Sequence, residues 1–288
     1  MISQLSHQKQ SGLSLVELMI TLVIASVLIL GIVQIYVDNR RNNLFQQNQM
    51  INLDNSRFTL LVMDNVLEKV GYRRAPDELF ETAFPRDANV NGCNTFARGS
   101  AVTTLSAVNE IGFCMRYQPA FSGELDCTGN AVNLATDDNI PFKPIDDDDL
   151  VIQAIRFVPG ANNRLEMGRL ECARILDGVA LNYVEVASGV ADFRLSFGVS
   201  NNPNAIDREI DQFVSSSAWS DTLHGDPLSI RYEALLASLP NQRNGDSAQL
   251  ALWKLDNGEA ANTRLDNQDK GHLYQISSNS NAIRNLAP

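Results

Sequence analysis

A glycine and one carboxylate frame the start of a long apolar stretch: Gly12, Leu13, Ser14, Leu15, Val16, Glu17. From Leu13 to Val37, Glu17 is the only formal charge, and a carboxylate near a bilayer centre costs about 3 kcal/mol or more. It therefore calls for a cationic partner. Peptide-bond cleavage after Gly12 would create one, because the α-amine freed on Leu13 lies four residues, about one helical turn, from Glu17. A second copy of the helix, staggered alongside, would offer its own amine in the same way. The polar leader MISQLSHQKQSG has Lys9 as its one basic side chain and ends on Gly12. A secretory signal places its small-residue cleavage site after the apolar region. Here the small residue precedes it, so the apolar segment stays with the mature chain.

Other residues with chemical potential lie further on. Asp146, Asp147, Asp148 and Asp149, with Asp137 and Asp138 before them, resemble a loop that could offer oxygens to a hard cation such as calcium. The run lacks the alternating spacing of a calcium loop, and consecutive side chains on an extended chain point apart. Pro141 and Pro144 stiffen only the approach. A solvated turn is the expectation, with no metal and no other cofactor. Four cysteines, Cys93, Cys114, Cys127 and Cys172, follow the apolar stretch; outside the cytoplasm an even count reads as two disulfides, with three pairings open. There is no C-x-x-C, and only His224 and His272 lie beyond the leader, which argues against zinc. Neither histidine has a recognisable nucleophile partner. Asp126, Glu171 and Asp192 could be imagined as acid and base, but their spacing does not favour that over ordinary loop and strand charges. The chain reads as no enzyme.

The elements that must position these residues follow from periodicity. At ~1.5 Å per residue, Leu13–Val37 is long enough to cross a ~30 Å hydrocarbon layer. From Asp38 to Val70 there is no Pro or Gly. Leu44, Ile51, Phe58, Leu61, Val62, Val66 and Val70 recur near helical spacing, with polar residues such as Asn42, Gln46, Gln49, Asn55, Asp64 and Lys69 on the other faces. One helix is expected to run on to about Gly71, a C-cap, with Pro76 preventing its resumption. Its second half should bury that apolar stripe against the rest of the chain.

Residues 77–109, rich in Asn, Asp, Gly, Thr and Ser, read as a loop with at most short strands. Strands are expected at Ile111–Tyr117, Leu150–Val158, Leu165–Ile175, Val190–Val199, Leu228–Leu239, Gln249–Leu255 and Leu273–Ser277, with a further one at Ala282–Arg284. Turn chemistry at Asn201–Asn204, Asn241–Gly245 and Asp256–Gly258 separates the later ones. The fold class is α+β, a long N-terminal helix packed on a large antiparallel head of one elaborated sheet or two abutting ones. Four parts result: a leader at 1–12, a membrane-spanning helix at 13–37, an amphipathic continuation at 38–72 and a β-rich head at 73–288. The formal charge of −11, without a Lys/Arg cluster, argues against nucleic-acid binding.

Gly12, Leu13, Ser14, Leu15, Val16 and Glu17, followed by an apolar helix without interior proline, resemble the cleavage and methylation motif of type IV pilins and pseudopilins. Leu13 stands where most members have phenylalanine, and Gln34 where major pilins usually carry proline, which leans toward a minor subunit. The segment ending Val70-Gly71-Tyr72-Arg73, the stretches Gly123–Asn130, Arg169–Cys172, Val190–Val199 and Ser229–Leu239, and the closing Ile283–Leu286 are similar in order to the large W-type minor pilins. The resemblance implies that a prepilin peptidase cuts between Gly12 and Leu13, that Leu13 is N-methylated and that Glu17 sets register in a filament. Together with the short loops it closes, it also favours the pairings Cys93–Cys114 and Cys127–Cys172. The implied function is a minor pilin that primes assembly near the filament tip, with its head in the periplasm before assembly and outside the cell afterwards. Implied partners are other minor pilins, the major pilin, a tip adhesin, the peptidase and the inner-membrane assembly platform. A type II secretion pseudopilin shares the N-terminal logic, and a tip adhesin or binding module is the reading from a different class.

Overall fold

The computed structural model of the chain describes residues 12, 14–134, 142–145, 149–176, 182–202 and 209–283. It divides into two compact units, Met1–Gln47 and Asn48–Pro288. One helix, α1 (Leu15–Leu67), contributes to both. The first i→i−4 bond runs from Leu18 N–H to Ser14 O. In the first unit the helix is exposed all round, and an 18-residue window has a mean hydropathy of 2.7. Its hydroxyls are satisfied internally: Thr21 donates to Leu18 O and Ser26 to Val23 O, as an apolar surrounding requires. The helix ends at Leu67, short of the expected Gly71. Turns carry the chain to Gly71, whose φ of 66° suits the left-handed position past a helix end.

The head is built from two antiparallel sheets. Five strands, β1 (Val102–Thr104), β2 (Gly112–Tyr117), β3 (Val151–Val158), β4 (Arg169–Ile175) and β5 (Val184–Ser188), pair in sequence order. The second sheet has the order β7-β6-β8-β9, from β6 (Val190–Val199), β7 (Gln212–Ser215), β8 (Ser229–Ala237) and β9 (Tyr274–Ala282). Short helices α2 (Phe80–Ala83) and α3 (Asp221–His224) lie in connections, and α4 (Ala248–Leu255) and α5 (Glu259–Gln268) stand between β8 and β9. Of the expected Leu165–Ile175 strand, Leu165–Met167 is a 3-10 turn and pairing starts at Arg169. The terminal strand position Arg284, the turn residues Pro203 and Asn204, and the closing Arg284–Leu286 lie outside the described residues.

Strand alternation places the cores. One face of each sheet, including Phe113, Met115, Leu170, Phe193, Phe197 and Tyr232, joins Met63, Val66, Leu67 and Val70 in the principal core. On the reverse of the four-stranded sheet, Leu235 and Ala237 pack with Leu250, Trp253 and Leu265. On the reverse of the five-stranded sheet, Cys114 and Ala154 are covered by Val90, Cys93 and Phe96. The loop ahead of β1 is pinned by Arg116, which is fully buried and donates to the carbonyls of Ser100 (2.7 Å), Pro85 (2.6 Å), Phe84 (3.1 Å) and Ala97 (3.0 Å). Close strand packing also demands Gly112: an added Cβ would sit 2.1 Å from Ile155 O.

Two expectations are corrected. Gln249–Leu255 is helical, because Ser247 caps α4 by accepting from Leu250 N–H at 3.3 Å while Leu250 and Trp253, three apart, face the sheet. The stripe of α1 against the head also differs from the expected one over its earlier turns, while Val66 and Val70 of that stripe are buried as expected. Ile51, Phe58 and Leu61 are 44, 53 and 59 % exposed, whereas Asn48, Asn52, Ser56, Thr59, Met63, Val66 and Leu67 are buried. The inward-facing polar stretch makes two bonds to the region of β9, one from the Asn52 side chain and one through the Ser56 backbone carbonyl. Asn52 Nδ2 donates to Leu273 O at 2.8 Å, and Ser277 Oγ donates to Ser56 O at 3.4 Å.

Candidate functional site

The N-terminal constellation is placed by the start of α1. Gly12 and Ser14 precede the helix, and Glu17 lies exposed in its first turn, where a carboxylate complements the partial positive charge of the unpaired N–H groups. Leu13, the expected site of cleavage and methylation, lies outside the described residues. A Cβ built on Gly12 meets nothing within 4 Å, and its φ lies outside the left-handed region. The fold itself therefore makes no demand for glycine at this position. A requirement for it would come from a processing enzyme.

The lower half of α1 is held by a second constellation that sequence reasoning did not assemble. Asp64 accepts from Tyr232 Oη at 2.9 Å, from Asn279 Nδ2 at 2.9 and 3.1 Å and from Asn281 Nδ2 at 2.9 Å. Three side chains on two adjacent strands thus converge on one helical carboxylate. Burial and the Asp64 carboxylate together push the Tyr232 hydroxyl far above its ordinary value, so it stays a donor. One turn on, Lys69 donates to Leu125 O at 2.7 Å and pairs with Glu124 at 2.7 Å. The loop holding these partners is stapled by Cys127–Cys172, and Cys93–Cys114 staples the loop ahead of β1 to β2. On the chain-entropy account, bridges with separations of 21 and 45 residues contribute about 3 and 4 kcal/mol.

The residues considered as acid and base take structural partners instead. Asp126 Oδ1 caps its own turn by accepting from Thr128 and Asn130, while its other oxygen lies 3.7 Å from Arg174. Glu171 bridges Arg156 (2.9 Å) and Arg169 (2.6 Å). Asp192 accepts from Trp253 Nε1 (2.8 Å), Asn257 Nδ2 (2.8 Å) and Arg264 (2.7 Å), which ties α4 and α5 to β6. His224 Nδ1 lies against Ser220 and His272 Nδ1 against Ser238 O. Of the acidic run, Asp149 is described; Asp137, Asp138, Asp146, Asp147 and Asp148 lie outside the described residues. Among the described residues no group of three or more His, Cys, Asp or Glu converges on a metal position.

Residues 7–33 match the family described as "Prokaryotic N-terminal methylation motif". No curated protein matches the chain. Among solved structures, the type IV-like pilin TTHA1219 from Thermus thermophilus is similar over 82 % of this chain and 98 % of its own, at 12 % identity and a TM-score of 0.38. The matched segment includes Gly12, Leu13 and Glu17 and most of the exposed apolar helix. The chain thus carries a prokaryotic N-terminal methylation motif at the start of its long apolar helix, with antiparallel sheets packed on that helix from Asn48 onward.

Proposed function

We propose that the chain is a minor pilin of the type IV pilus, cleaved between Gly12 and Leu13, N-methylated on Leu13 and incorporated near the filament tip, where it primes assembly. The observation that carries this reading is the methylation motif on a helix with an exposed apolar first half and Glu17 in its first turn. The apolar half dissolves in the inner membrane before assembly and joins other such helices afterwards. Glu17 neutralises the amine of a neighbouring subunit and so sets register. Gln34, in a helix without interior proline, and a head of two stapled sheets support a low-copy subunit over a major one. Other minor pilins, the major pilin, a tip adhesin, the prepilin peptidase and the assembly platform are its proposed partners, and no catalytic step is assigned to it.

Glu17→Ala tests the assembly role. The variant should remain membrane-inserted and cleaved, yet be several-fold depleted from sheared filaments relative to the membrane fraction. Normal incorporation would refute the register role, and loss of protein secretion with intact pili on deletion of the gene would point to a secretion pseudopilus.

A further inference from the structure

Directly after the apolar segment, Asp38, Arg40 and Arg41 carry the charges, and the next formal charge is Asp54. Leu15 to Val37 is 23 residues, ~35 Å of helix at ~1.5 Å per residue, slightly more than a ~30 Å hydrocarbon layer. With Glu17 at the near boundary, Arg40 and Arg41 fall at the level of the phosphates on the far side. Both are exposed, and among the described residues neither takes part in an ion pair. Helical spacing separates their roles. Arg40 follows Tyr36 by four residues, on the face away from Asp38, whereas Arg41 follows Asp38 by three and shares its face. Tyr36 is 65 % exposed and is the aromatic residue nearest the boundary, the type enriched where hydrocarbon meets headgroup.

The asymmetry of charge gives this cluster a task. Before processing, the leader supplies Lys9 on the near side. Removal of the leader leaves the near side with the new amine, which Glu17 neutralises. With Asp38 offsetting Arg41, Arg40 is then the excess cation next to the bilayer on the far side. A guanidinium presents a planar fork that binds phosphate oxygens bidentately.

We propose that Arg40, assisted by Arg41 and Tyr36, forms a phospholipid-binding collar that fixes the axial position of the processed helix through headgroup phosphates on the head side of the membrane. This rests on the reading of α1 as membrane-spanning. The collar keeps the ~5 Å of excess apolar helix from sliding inward and holds Glu17 at the opposite boundary, where it can meet an amine.

The test uses the chain beginning at Leu13 and carrying Tyr36→Trp as a depth reporter, its emission read over that of the parent chain with Trp219 and Trp253, in phosphatidylglycerol vesicles whose acyl chains are brominated either near the headgroup or near the chain end. With both arginines present, quenching of the added indole should be stronger from the shallow bromines. With Arg40→Gln and Arg41→Gln the ratio of deep to shallow quenching should rise, as for an inward shift of about one helical turn. Arg40→Lys, which keeps the charge but loses the fork, should fall between. Identical depth profiles with and without the arginines would overturn the collar. No quenching of the added indole from either lipid would instead overturn the membrane-spanning reading on which it rests.

Discussion

Gly12 is a residue whose identity the fold does not require, since a side chain there meets open space. Gly12→Asp should therefore leave the head folded while blocking processing; mature-length protein from that variant, seen by mass spectrometry of membranes, would refute the cleavage site. Glu171 makes the opposite case, a carboxylate whose role is structural. Burial raises its pKa, but the hydrogen bonds and charges of Arg169 and Arg156 outweigh burial and hold it below its ordinary 4.5. A carboxyl depressed on folding adds stability that is present above its unfolded pKa and is lost as pH falls through the folded one. Glu171→Gln should thus lower stability near neutrality and flatten the acid limb below pH 4.5, as read by denaturant melts across pH. At this scale the sequence was informative where a pattern is local. Gly12, Leu13 and Glu17 sit within six residues, and their spacing declares itself. The partners of Asp64 and Asp192 are scattered along the chain, and nothing in local spacing brings them together.

Among the elements, α1 carries the sharpest lesson. Its continuity was legible from the absence of Pro and Gly, but the face it buries was legible only near its end, at Val66. Apolar periodicity selected Ile51, Phe58 and Leu61, whereas the head receives Asn48, Asn52, Ser56 and Thr59. Exposed apolar residues occupy the outer side, and the inward side meets polar partners at and near β9, through Asn52, the Ser56 carbonyl and Asp64. Asp64→Ala removes the acceptor shared by Tyr232, Asn279 and Asn281. Hydrogen bonds to a charged group are each worth about 1.5–3 kcal/mol, so the variant should lose about 2–4 kcal/mol. That would lower the thermal midpoint by roughly 4–16 °C for a domain of this size. Hydrogen exchange at 56–67 should accelerate with it, and an unchanged midpoint would mean that apolar packing alone holds the helix. The α4 segment, Gln249–Leu255, was misread for a different reason. Leu250, Leu252 and Trp253 fit strand and helix templates alike in so short a run. The cap at Ser247 and the contacts of Trp253 with the sheet and with Asp192 decide it.

At the scale of the molecule, two physical regimes share one helix. Up to Gln47 the chain is a unit whose exposed surface is apolar over a membrane's thickness, and from Asn48 it belongs to a head closed by sheet pairing, two disulfides and buried polar ties. On the proposed function, this division corresponds to storage in lipid followed by transfer into a filament. The alternation of β6, with Phe193, Leu195, Phe197 and Val199 facing the principal core, made the antiparallel head legible. The edge strands β5 and β7 escaped notice because their residues are mostly exposed and carry little apolar pattern. The central claim is that the apolar helix is released by cleavage after Gly12 and leaves the membrane as part of a filament. Its most direct test is the N-terminal residue of the protein recovered from sheared surface filaments. A methylated Leu13 is the predicted result; a chain beginning at Met1, or cleaved beyond the apolar segment, would contradict it.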